Sequence, residues 1–79
     1  MVRYFAAARA AAGTDSETVL LRPGTTIAQL LERLAAPGTR LATVLGRCSY
    51  LRDGVAVREV ATPLRPGETI DVLPPFAGG

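Results

Sequence analysis

Ile27, Leu30, Leu31 and Leu34 fall at i, i+3, i+4 and i+7, a spacing that draws an apolar stripe down one face of an α-helix. Such a stripe needs an apolar surface to cover it, and this requirement organises the rest of the chain. Thr26 stands where an N-cap belongs, with Gln29 three residues on to complete a capping box. Pro37-Gly38 closes the helix. Each large side chain of the stripe contributes about 1.5–3 kcal/mol when fully buried, more than helix propensity supplies.

The segments around this helix read as strands. Val2 to Ala8 opens with Val, Tyr and Phe and is apolar on both faces, which predicts a central strand. Arg9 to Ala12 predicts a short helical turn ending at Gly13. Glu17 to Arg22 predicts a second strand, stopped by Pro23-Gly24. Thr39 to Leu45 is a candidate short helix with Gly46 as its stop. Ser49 to Arg52 and Val55 to Arg58 flank Asp53-Gly54, the pairing that favours a type I′ hairpin turn. Pro66-Gly67 is another turn, and Thr69 to Leu73 is a last strand, apolar enough to lie beside the first. The expected fold class is therefore α+β: a mixed sheet of about five strands with one main helix packed on one face. No repeat, linker or low-complexity tract divides the chain, so residues 1–79 form one expected domain, with a flexible C-terminal tail at 74–79.

Absences narrow the chemistry. The 79 residues include no His, no Trp and a single Cys, Cys48. The commonest general base and metal ligand is missing, and neither an internal disulfide nor a Cys-rich zinc site can form. The seven carboxylates show no spacing that suggests a metal-binding pair. No cofactor is expected to bind the domain itself. No apolar run approaches the ~18 residues of a membrane span, no secretory leader opens the chain, and a reducing cytoplasm fits best. All nine basic residues are Arg, and the net charge is +2. They are spread evenly rather than gathered on one segment, which argues against nucleic acid as a partner. The lack of Lys leaves no side-chain amine to accept an isopeptide bond. A chain of this size buries roughly 60% of its unfolded surface, which argues against a deep catalytic cavity of its own. Any chemistry is expected to use the backbone or to belong to a partner.

The end of the chain is the most informative segment: Leu73-Pro74-Pro75-Phe76-Ala77-Gly78-Gly79. Two consecutive prolines donate no N–H, so they end the sheet and stiffen the path away from it. Phe76 offers one large apolar side chain. Gly78 and Gly79, lacking Cβ atoms, pass through a narrow slot in any backbone geometry. Extended, the six residues from Pro74 reach at most ~20 Å, enough to carry a terminal carboxylate into another protein's active site.

The ending LPPFAGG and the opening RYFAAARAAAG resemble the sulfur-carrier family of molybdopterin synthase small subunits, ubiquitin-like β-grasp proteins related to the thiamine-pathway sulfur carrier. The resemblance spans the whole chain, including the Asp53-Gly54 hairpin and the segment LRPGETIDVL. It implies that an E1-like partner uses ATP to adenylate the carboxylate of Gly79. A sulfur-donating protein then leaves a thiocarboxylate there. The tail, with Pro74, Pro75, Ala77 and Gly78 as its threading residues, enters the large subunit of molybdopterin synthase and gives its sulfur to cyclic pyranopterin monophosphate. On this view the chain is not catalytic alone. Two other products remain open: a sulfur carrier for thiamine thiazole or cysteine biosynthesis, and a ubiquitin-like modifier conjugated to proteins. Phe5 and Phe76 match positions where the family meets its partners; Phe5 reads equally well as a core aromatic. Cys48 reads as a small buried hydrophobe, since only Arg47 is near enough in sequence to lower its pKa.

Overall fold

A computed structural model describes residues 1–75 of the chain. Five strands form one mixed sheet: β1 (Val2–Tyr4), β2 (Ser16–Glu17), β3 (Ser49–Arg52), β4 (Val55–Ala56) and β5 (Ile70–Leu73). Three helices accompany them: α1 (Ala6–Ala12), α2 (Ile27–Leu34) and α3 (Arg40–Leu45). The strand order is β2-β1-β5-β3-β4. β5 is central, parallel to β1 on one side and antiparallel to β3 on the other. This is the ubiquitin-like β-grasp.

The helical stripe does what its spacing predicts. Ile27, Leu30 and Leu34 are buried against Val2, Tyr4, Ile70 and Val72, the residues that β1 and β5 turn toward the helices. Thr26 Oγ1 accepts from the Gln29 N–H at 3.2 Å, and the Gln29 side chain accepts from the Thr26 N–H at 2.9 Å, so the capping box is complete. The next two free N–H groups of the helix start, on Ile27 and Ala28, donate to the carbonyls of Thr62 and Val60. The loop after β4 thereby seals the end of α2.

The hairpin turn also forms as expected, with both Asp53 (φ 47°) and Gly54 (φ 83°) at positive φ. Three boundaries differ from the sequence expectation. The first strand stops at Tyr4 instead of Ala8. Phe5 is extended, Ala6 has a positive φ of 48°, and the Phe5 carbonyl accepts from Ala8 and Arg9 to open α1. A run of Ala is a better helix than strand, and the expected single turn becomes a seven-residue helix ending at Gly13. The second strand is Ser16–Glu17 only. Its antiparallel register, Arg3↔Ser16 and Val2↔Glu17, reaches the start of β1, so residues 18–22 have no strand beside them to pair with. β4 likewise spans two residues rather than four. The main helix α2 is joined by the two shorter ones expected around residues 9–12 and 39–45, and α1 and α3 pack on each other beside it.

Candidate functional site

The site is built around the place where β5 ends. Tyr4 is in register with Val72, and the Phe5 N–H donates to the Val72 carbonyl at 3.2 Å. On the other side Ser49 pairs with Leu73. The chain therefore leaves the sheet at one pole of the molecule, between the start of α1 and the start of β3. Ala8 is fully buried here, where α1 packs against β5. Of the expected threading residues, Pro74 is buried and Pro75 is exposed. Ala77, Gly78, Gly79 and the expected contact residue Phe76 lie outside the described residues.

The sheet face turned away from the core carries a second feature. Alternation along the strands puts Arg3, Asp71 and Leu51 in one row of this face and Phe5 and Leu73 toward the pole. Asp71 is 5% exposed. Its carboxylate is gripped in bidentate fashion by the Arg3 guanidinium, at 2.6 Å from Nε and 2.8 Å from Nη2. That geometry satisfies a carboxylate otherwise expensive to bury. The bond to Asp71, and then its charge, raise the pKa of Arg3 further. The same guanidinium sits 5.6 Å from the centroid of the Phe5 ring, in cation–π range. Phe5 is 39% exposed, which rules for a surface aromatic over a core one. At the level of sequence, Arg3 and Asp71 are not singled out as a pair. The signal was present, since both residues occupy outward positions of two strands expected to be neighbours.

The remaining titratable groups near the pole are held unreactive. The Cys48 thiol donates to the Val44 carbonyl at 3.2 Å, and burial pushes its pKa up, the opposite of what an attacking thiolate needs. Tyr50 donates to the Leu45 carbonyl at 2.8 Å, and burial pushes its pKa up to about 12. The buried Tyr4 hydroxyl is raised first by desolvation and then by the charge of Glu17. Among the described residues no group of three His, Cys, Asp or Glu side chains could hold a metal ion. No helix among the described residues is long and apolar enough to cross a membrane. What this pole presents is the end of the central strand, beside an exposed aromatic and a buttressed guanidinium.

Comparison with known proteins points the same way. The model of the ThiS family matches residues 2–79, which includes the whole arm. The molybdopterin synthase sulfur carrier subunit of Chlamydomonas reinhardtii is 30% identical over 79 residues, covering 99% of this chain and 95% of that protein. The crystal structure of SAMP1 from Haloferax volcanii superposes with a TM-score of 0.82 at 22% identity, over 99% of this chain and 96% of the other, a likeness of fold. A chain of the complex of subunits 1 and 2 of molybdopterin-converting factor from Helicobacter pylori superposes with a TM-score of 0.69 at 26% identity, over 99% and 95% of the two chains.

Proposed function

The chain belongs to the ThiS family, and from that premise we propose that it is a sulfur carrier whose working group is the carboxylate of Gly79. The observation that carries this reading is the extent of the family match, which runs through the Gly-Gly end, set beside a body whose central strand ends at one pole, at Leu73. A carboxylate is a poor electrophile. An E1-like partner converts it, at the expense of ATP, to an acyl-adenylate with a good leaving group, and a sulfur-donating protein displaces AMP to give the thiocarboxylate. That group is a strong nucleophile at neutral pH.

The sulfur's destination is cyclic pyranopterin monophosphate, held in the large subunit of molybdopterin synthase. Two relatives support this choice over a thiazole or cysteine product: the 30% identical sulfur carrier subunit, and the solved two-subunit complex of a molybdopterin-converting factor. Phe5 and Leu73 at the pole, with Phe76 and the threading residues of the arm, form the face offered to that partner. The acid–base groups and the pterin pocket belong to the large subunit.

Incubation with the activating enzyme, ATP and a sulfur source should raise the intact mass by about 16 Da, one oxygen exchanged for sulfur at the terminal carboxyl. A variant lacking Gly79 should gain nothing and keep its unfolding midpoint. An unchanged mass, with an activator shown to work on another carrier, overturns the reading. Stable association with a thiazole synthase in place of the molybdopterin synthase large subunit would move the product.

A further inference from the structure

We propose that the cavity at the pole opposite the arm receives the arm of a second copy of this chain, with Phe76 in its apolar floor and the Gly79 carboxylate against Arg22 and Arg65. This rests on the reading of Gly79 as the reactive terminus and assigns that terminus a resting place.

The cavity has a volume of about 270 Å³ and opens between the beginnings of β1 and β5 and the turns around residues 23 and 66. Val2, Leu30 and Ile70 are buried beneath it, and Leu64 lines its side. An apolar cavity of ~150 Å³ holds a benzene ring, so the space here admits a phenyl group and part of its backbone. The rim is cationic. The ion pairs among the described residues are Arg3–Asp71, Arg9–Asp15 and Arg52–Glu68; the exposed Arg22 and Arg65 side chains are in none of them, and the Arg65 side chain acts on Glu68 only through its charge. Glu68 is the one carboxylate lining the cavity, and its oxygens are occupied by the Arg52 guanidinium and the Arg65 backbone N–H. The Met1 ammonium adds positive charge and donates to the Glu68 carbonyl at 3.0 Å. A ligand that suits this lining has one large apolar side chain a few residues from a carboxylate. The four residues Phe76-Ala77-Gly78-Gly79 have that composition.

The docking occurs between copies. Ile70 to Pro75 carries the chain roughly 16 Å away from the cavity at extended spacing. The four residues that follow span at most ~14 Å, so an arm falls short of its own cavity. Arm into opposite pole is a heterologous contact, which builds open head-to-tail rows instead of closed pairs. A docked carboxylate is withheld from adenylation, so association and activation compete for one group.

The test uses the full chain and a fluorescent peptide of sequence LPPFAGG, followed by anisotropy, with no activating enzyme, ATP or sulfur source present. The free-acid peptide should bind saturably. Amidating its carboxyl, or replacing its Phe with Ala, should weaken binding at least about tenfold, a loss of roughly 1.4 kcal/mol or more. The full-chain variant R22E/R65E should lose affinity to a similar extent, and the concentration dependence of sedimentation expected of the unaltered chain should be lost in it. If that variant fails to fold, the comparison of acid with amide peptide on the unaltered chain decides. The proposal is overturned if no saturable binding occurs up to about millimolar peptide, a range that covers interactions of ~4 kcal/mol. It is equally overturned if the amide binds as well as the acid. Because no sulfur chemistry enters the assay, failure here leaves the carrier reading intact, and an unchanged mass in the activation assay leaves any peptide binding standing.

Discussion

Glu68 is the most heavily engaged carboxylate in the structure. It bridges the Arg52 guanidinium and the Arg65 backbone N–H, and its side chain is 11% exposed. The Arg52 bond is the main reason its pKa lies below the ordinary value of 4.5. A carboxyl that is more acidic folded than unfolded stabilises the fold fully above its unfolded pKa. The contribution is lost as pH falls through the folded value, because the unfolded chain then binds more protons. Urea unfolding followed from pH 7 downward should therefore show a loss of stability below about pH 4.5, and Glu68→Gln should flatten that part of the curve. An unflattened curve would assign the acid sensitivity to other carboxylates. The Arg52–Glu68 pairing was not legible in the sequence, since 16 residues separate the partners; Arg3–Asp71, 68 residues apart, could be inferred only through the expected pairing of the first and last strands.

Among the elements, what was legible is what is local. α2 could be read completely because its period, its cap and its stop all lie within about a dozen consecutive residues. The type I′ turn was equally readable, since its geometry depends on two residues alone. β2 was overestimated because the length of a strand is set by its partner, and β1 runs out at Val2. The β1–α1 boundary was misplaced because Phe5 and the following alanines suit either element until Ala6 turns the chain. α2 supplies the larger part of the core facing the sheet, with Leu30 at its centre and 2% exposed. Leu30→Ala should cost about 2–5 kcal/mol in equilibrium unfolding, with a cavity left where the side chain was. A cost below about 1 kcal/mol would show that the sheet and the other helices hold the core without it.

Taken whole, the molecule has two unlike poles, one that releases the arm and one that carries the cationic cavity. The Gly-Gly ending could be read in the sequence as a candidate, while the surroundings of the pole could not: Phe5 became a surface residue only once the fold placed it beside Arg3. An aspartate at position 5 should weaken the complex with a molybdopterin synthase large subunit at least about tenfold and leave the unfolding midpoint nearly unchanged, because an exposed aromatic at an interface carries binding energy and little core. The same change at Leu20, which is 83% exposed and away from the pole, should leave the complex intact. Equal losses at both positions, in titrations followed by calorimetry, would remove the pole from the interface.

The arm grows out of the strand with a neighbour on each side. When a partner grips the tip and the carrier is drawn back out, tension runs along β5, and the rungs to β1 and β3 are loaded together in shear instead of being peeled one by one. On the proposed carrier reading, in which the terminus is threaded into a partner and withdrawn, the pull falls on the central strand, which has a neighbour on each side.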